Sequence, residues 1–109
     1  MSKRSPSART LEALRLAGWT AQVVEHWNPF ARRRVDLFSC IDILAIKGSE
    51  TLGVQATTKS NLSARRRKVL AEPRMREWVT GGRGLELWGW DGSEVRFIEI
   101  GRGDFTSDN

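Results

Sequence analysis

Two runs rich in β-branched and aromatic residues, 35–46 and 51–58, flank the short polar segment Lys47-Gly48-Ser49-Glu50. Such residues favour the pleated, half-buried surface of a strand, and a glycine between two such runs marks a tight turn. The pattern therefore predicts a β-hairpin in the middle of the chain. A two-residue loop at Gly48-Ser49 places Asp42 across from Gln55 and Cys40 across from Thr57.

Weaker patterns on both sides of this hairpin predict the other elements. Apolar residues recur at helical spacing before Gly18, and Asn28-Pro29 ends a run of strand formers. The elements expected are a helix over 8–17, a strand over 19–27, a basic loop over 31–34, a helix over 62–79 and a second hairpin over 84–100. Pro73 either kinks the second helix or opens a further one. The fold class is α+β, a mixed central sheet flanked by helices.

The length of 109 residues suits one domain with one modest core. We expect a flexible basic arm over 1–7, a single domain over 8–101 and a flexible tail over 102–109. The sequence lacks the pattern of a signal peptide and has no long apolar run, so we expect a cytoplasmic protein without membrane association. The single cysteine, Cys40, cannot form an internal disulfide and is expected to be a small buried hydrophobe.

Basic residues dominate the charge of the chain. Eighteen Lys and Arg against 13 Asp and Glu give a net charge of +5, and 14 of the 18 are Arg. Residues 59–76 hold seven basic residues and one acid, a local charge of +6 that exceeds the net charge of the chain. This concentration favours binding of a polyanion such as nucleic acid. The candidate phosphate-binding residues are Arg32, Arg33, Arg34, Lys59, Arg65, Arg66, Arg67 and Lys68.

Asp42 lies in the most apolar stretch of the chain, CIDILAI. A carboxylate is costly in such surroundings unless it is paired or bound to a metal ion. In a regular strand Asp36 and Asp42 share a face, and on the partner strand Gln55, Thr57 and Lys59 point to that same side. Carboxylate and amide oxygens together suit a hard divalent cation.

The run RVDLFSCIDILAIKGSETLGVQATTKSN resembles the active-site hairpin of the PD-(D/E)xK nuclease superfamily, which includes restriction endonucleases and Holliday junction resolvases. Ile41-Asp42 stands where that motif has Pro-Asp, and Gln55-Ala56-Thr57 stands where it has Glu-x-Lys. The similarity covers residues 8–100 and is greatest to small phage and prophage proteins of the superfamily. It implies a restriction-endonuclease-like core and a metal-dependent DNA endonuclease, with junction or other branched DNA among the possible substrates.

The resemblance also implies roles for individual residues. Asp42 and Gln55 would hold Mg²⁺ or Mn²⁺, and Asp36 and Glu25 are candidates for further metal ligands. Thr57 replaces the motif lysine, whose ammonium orients the attacking water. Lys59, one pleat further along, is the nearest substitute for that lysine.

Alternatives to a DNA nuclease remain open at this point. One is a catalytically weak or inactive nuclease fold that is retained as a DNA-binding protein, since the motif acid is an amide and the motif lysine is displaced. Another is a ribonuclease. Symmetric cutting of a junction would require a homodimer.

Overall fold

The structure is a computed structural model that describes residues 4–105. Its helices are α1 (Pro6–Leu16), α2 (Leu62–Leu70) and α3 (Pro73–Thr80). Its strands are β1 (Thr20–Val23), β2 (His26–Asn28), β3 (Arg33–Val35), β4 (Ile43–Lys47), β5 (Glu50–Thr58), β6 (Gly84–Asp91) and β7 (Glu94–Glu99). Short 3-10 helices cover Lys59–Asn61 and Arg102–Phe105.

Five strands form the main sheet in the order β1-β4-β5-β6-β7. The β5–β6 pair is parallel and the other pairs are antiparallel, so the sheet is mixed. Leu14 of α1 packs with Val54 and Trp88 in one apolar cluster, whereas α2 and α3 pack in a second cluster with Leu85 and Leu87. Because successive side chains alternate faces along a strand, the two clusters lie on opposite faces of the sheet. The predicted α+β class is confirmed.

The central hairpin has the predicted register over most of its length. Pairs run from Ile43 opposite Val54 to Lys47 opposite Glu50, around the glycine turn. The first strand of the hairpin is nevertheless shorter than predicted, because residues 36–41 form a tight turn. Within this turn the backbone amides and carbonyls of Leu37 and Ile41 bond to each other at 2.9 Å in both directions.

Two consecutive residues in that turn have left-handed backbones, Phe38 at φ 52° and Ser39 at φ 67°. Left-handed geometry is rare for residues other than glycine, asparagine and aspartate, and it ends an extended strand. The predicted face shared by Asp36, Cys40 and Asp42 is therefore wrong, as is the pairing of Cys40 with Thr57.

The predicted strand over 19–27 divides into β1 and β2, and the predicted basic loop is partly a strand. β2 and β3 form a separate two-stranded sheet in which Trp27 lies opposite Arg34 and Asn28 lies opposite Arg33. Residues 24 and 25 join this small sheet to the main one. The chain thus inserts a short hairpin between the first strand and the central hairpin.

The helices follow the predicted pattern with shifted ends. α1 begins at Pro6, inside the predicted arm, because the Ser5 hydroxyl accepts the Ala8 N–H at 3.1 Å and caps the helix. Pro73 opens α3 as its first residue, which resolves the choice left by the sequence. The tail prediction is wrong for residues 102–105, since Phe105 is buried. Residues 1–3 and 106–109 of the predicted arm and tail lie outside the described residues.

A glycine on β6 allows α2 to pack closely against the sheet. A Cβ added at Gly89 would lie 2.5 Å from Leu62 Cγ, far inside van der Waals contact. Leu62, the first residue of α2, therefore packs directly onto the backbone of β6. This close approach sets the position of the basic helix relative to the end of β5.

Candidate metal and nucleic-acid site

Asp42 lies at the point where the central hairpin leaves the regular ladder. Its backbone N–H donates to the Val54 carbonyl at 2.9 Å, although Val54 is already opposite Ile43. Two residues facing one is the arrangement of a β-bulge. The Asp42 side chain compensates, because its Oδ2 accepts the Ala56 N–H at 2.8 Å. The carboxylate thus lies against the peptide bond that joins Gln55 to Ala56.

The electrostatic surroundings of Asp42 disfavour its charged form. The side chain is only 5% exposed, and burial raises its pKa from 3.8 to about 8. The Ala56 N–H opposes this rise, whereas a hydrogen bond with Asp36 and the charges of Asp36 and Glu25 add to it. Asp36 and Glu25 thus both influence the charge of Asp42, and their predicted role as metal ligands stays a prediction.

These acids come from one region of the fold. Glu25 precedes β2 and Asp36 follows β3, so the two flank the base of the inserted hairpin. Within residues 4–105, no three Asp, Glu, His or Cys side chains are grouped so as to hold a metal ion. Any cation at Asp42 would therefore need an additional oxygen ligand or water.

Gln55 is the residue that the sequence predicts as such a ligand. Its side chain is fully buried on β5, and neither Nε2 nor Oε1 has a hydrogen-bond partner among the described residues. Leu87 lies beside it on β6, and Gly53 on the same strand packs under Ile41 and Trp78. A buried amide without partners costs about 1–3 kcal/mol. Native proteins retain such a group when water, an ion or a reaction uses it.

The predicted ligands have the oxygen types that suit a hard divalent cation, namely carboxylate oxygens from Asp42, Asp36 and Glu25 and an unengaged amide oxygen from Gln55. Within residues 4–105, however, the acids are not grouped as a formed metal site. A cation would also favour the charged form of Asp42, which burial and its acidic neighbours disfavour.

Thr57 stands at the position of the motif lysine and Lys59 is its predicted substitute, but the two residues do not lie on one strand face as expected. Thr57 is buried on β5, and β5 ends at the next residue. Lys59 then opens a 3-10 helix instead of continuing the strand, and it lines surface cavities with Trp90 and Arg96. The predicted position of Lys59 on the strand face of Gln55 is therefore wrong.

A different lysine influences Cys40, two residues before Asp42. Burial raises the pKa of the Cys40 thiol to about 11, the positive charge of Lys68 lowers it, and the negative charge of Asp36 raises it. No sequence pattern indicated this effect of Lys68, because it depends on how α2 packs on the sheet.

Arg74 is a second residue that sequence reasoning missed. Its guanidinium forms an ion pair with Glu72 at 2.8 Å, which holds the pKa of that half-buried carboxyl down at about 2. The same guanidinium donates to Ser39 Oγ at 3.4 Å and lies 5.6 Å from the centre of the Phe38 ring. Arg74 therefore braces the left-handed turn that precedes Asp42.

The basic residues of α2 differ in their availability. Arg66 donates to Asp104 at 2.9 Å and so is engaged. Arg65, Arg67 and Lys68 form no ion pair with any residue in the described part of the chain. Three of the four basic residues predicted on this helix can therefore meet phosphate.

No protein-family model matches the sequence, and no curated protein or solved structure shows significant similarity to it. Membership of the PD-(D/E)xK superfamily thus stays a prediction from the residues quoted above. Within residues 4–105, no helix has the length and apolar character needed to cross a membrane.

Proposed function

We propose that this chain is a divalent-metal-dependent DNA nuclease that hydrolyses phosphodiester bonds. The observation that supports this function is a fully buried, unpartnered Gln55 amide on the strand whose Ala56 N–H holds the buried carboxylate of Asp42. Two such costly buried groups do not stabilise the fold, so we infer that they serve a function. A bound cation would have to draw Asp36 or Glu25 toward Asp42, because no three such side chains are grouped for metal binding within residues 4–105.

Each group has a separate role in the proposed cleavage reaction. The bound cation would polarise the phosphate and lower the pKa of a bound water. The Ala56 N–H fixes the Asp42 carboxylate, so that oxygen is held in place before DNA arrives. Arg65 and Arg67 bind the DNA backbone, and Lys68 supplies positive charge that acts on Cys40, two residues before Asp42, in place of the missing motif lysine.

Cleavage assays on the parent protein and two variants test this function. Duplex, single-stranded and four-way junction DNA are incubated with Mg²⁺, Mn²⁺ or EDTA. We expect Asp42→Asn to abolish cleavage and to retain DNA binding measured in EDTA, because it removes one negative charge and a metal ligand. Glu50→Gln, which neutralises an exposed acid at the opposite end of β5, is the matched control and should cut normally.

Either of two results would contradict the nuclease proposal. One is cleavage by Asp42→Asn at the rate of the parent protein. The other is a parent protein that binds DNA and cuts neither DNA nor RNA with either cation.

The second result would support another function, a nuclease-like fold that binds DNA without cutting it. Thr57 in place of the motif lysine and the turn that carries Lys59 away from β5 favour that alternative. Salt titration tests binding under both proposals. Contacts from α2 should release several counterions, so affinity should fall steeply between low and physiological salt.

A further inference from the structure

The two-stranded sheet of residues 26–35, here called the arginine hairpin, stands apart from the main sheet. It carries Arg32, Arg33 and Arg34, all exposed and without ion pairs among the described residues. Its cross-strand pairing places Trp27 directly opposite Arg34, so an indole and a guanidinium share one face.

Two aromatic side chains of the arginine hairpin are open to solvent. Trp27 is 57% exposed and Phe30 is 98% exposed. By contrast, Trp78 and Trp88 are buried, and their ring N–H groups donate to Gly84 and Glu86. Burial of Phe30 thus adds almost nothing to the stability of the fold. A large exposed apolar side chain at a loop tip indicates a binding role.

The tip of the arginine hairpin is ordered by Asn28. Its Oδ1 accepts the N–H groups of Phe30 at 2.9 Å and Ala31 at 3.1 Å, and its carbonyl accepts the Arg32 N–H at 2.8 Å. Arg32 closes the loop with a left-handed backbone at φ 55°. The backbone that carries Phe30 is therefore held in one conformation, and binding there would lose little backbone entropy.

Flat rings beside unpaired guanidinium groups favour one class of partner. Bases without a pairing partner offer faces that stack on Trp and Phe, and their phosphates pair with Arg. A continuous duplex hides its base faces, which leaves an exposed Phe30 at the tip without a surface to stack on. The combination therefore matches unpaired nucleotides.

The position of the arginine hairpin connects it to the acids around Asp42. Its two strands start and end next to Glu25 and Asp36, the acids that interact with Asp42. Phe30 lies five residues beyond Glu25, so at about 3.4 Å per residue the tip is at most about 17 Å from that acid. A strand held on the hairpin thus reaches the proposed metal site within a few nucleotides.

We propose that the arginine hairpin binds unpaired nucleotides by stacking on Trp27 and Phe30, and that it directs single-stranded or branched substrates to Asp42. The identity of the partner as nucleic acid rests on the function proposed above. The new element is the site itself and its preference for unpaired over paired strands.

Binding without metal separates this proposal from cleavage. Fluorescence anisotropy in EDTA compares a labelled oligothymidine with a duplex of equal length. Phe30→Ser and Trp27→Ala should each weaken oligothymidine binding about tenfold and change duplex binding little. Leu16→Ala, which truncates an 84% exposed apolar residue on α1, is the matched control and should bind both like the parent.

Each other outcome has a distinct meaning. If both hairpin variants bind oligothymidine as well as Leu16→Ala does, while the parent still binds and cuts DNA, the hairpin proposal is overturned and the nuclease proposal stands. Equal losses on duplex and oligothymidine would indicate groove binding and would also overturn it. A parent that binds no nucleic acid removes both proposals together.

Two further measurements keep the test decisive. Phe30→Ser has no packing to lose, so it decides the question if Trp27→Ala alters the circular dichroism spectrum. Sedimentation with phosphatidylglycerol vesicles checks the other use of exposed aromatic and basic residues, which is adsorption to an anionic membrane. Vesicle binding that Phe30→Ser abolishes, without an effect of this variant on oligothymidine, would assign the hairpin to lipid and refute the proposal.

Discussion

Asp42 should make the metal-free protein less stable as the pH rises from about 5 to about 7.5. Its pKa is 3.8 in the unfolded chain and about 8 in the folded protein. In this interval the unfolded state has released the proton and the folded state keeps it, so each increase in pH favours unfolding. One such group lowers the free energy of unfolding by at most about 1.4 kcal/mol per pH unit.

The size of this effect follows from the burial of Asp42. Four pH units between the two pKa values set a ceiling of about 6 kcal/mol, comparable to the whole stability of a small domain. Entry of water around the ionised carboxylate reduces the effect, and we expect a loss of about 2 kcal/mol across the interval. The other two groups with shifted pKa values titrate outside this pH interval, since the pKa of Glu72 is about 2 and that of Cys40 is about 11.

Urea unfolding followed by tryptophan fluorescence measures this slope in EDTA and with saturating Mn²⁺. Asp42→Asn should flatten the slope in EDTA, and Mn²⁺ should flatten it in the parent protein by favouring the carboxylate. Glu50→Gln serves again as the control and should keep the parent slope. A parent whose stability is independent of pH over this interval, or a slope that Asp42→Asn leaves intact, would refute the reasoning.

Three further predictions concern other residues. Gln55→Met should raise the free energy of unfolding by about 1–3 kcal/mol in urea titrations, because it removes an unpartnered buried amide, and isothermal titration should show weakened Mn²⁺ binding. Gly89→Ala should lower the melting temperature, because its Cβ would overlap Leu62. Lys68→Ala should slow cleavage more than Lys59→Ala does in single-turnover assays, because the charge of Lys68 acts on Cys40, two residues before Asp42, whereas Lys59 lies in the 3-10 helix beyond β5.

The register of the central hairpin was predictable because it depends on local chemistry. Glycine at position 48 permits the tight turn, and β-branched residues on both sides fill a buried sheet. The turn at residues 36–41 was not predictable, since its residues have the composition of a strand. Contacts distant in sequence maintain that turn, among them the brace from Arg74 to Phe38 and Ser39.

The candidate site was predictable to the same degree. An acid in an apolar run and an amide on the facing strand could be found from patterning alone, and both are buried. The position of Lys59 was predicted wrongly because the alternation of side chains along β5 was assumed to continue past Thr58, where the strand ends. The effect of the Lys68 charge on Cys40 depends on how α2 packs on the sheet through the contact of Leu62 with Gly89, which no local pattern encodes.

The two hydrogen-bonding roles of Asp42 determine which substitution can report on its chemistry. Its Oδ2 accepts the Ala56 N–H, so Asp42→Ala leaves that buried donor without a partner at a cost of about 1–3 kcal/mol. Asp42→Asn keeps an oxygen for Ala56 and offers an N–H to Asp36 while removing the charge. We therefore expect Asp42→Ala to be the less stable of the two variants in urea, with both inactive in cleavage. Equal stability of the two variants would mean that the Ala56 bond does not hold the carboxylate, and the fixed position of that oxygen would then need another cause.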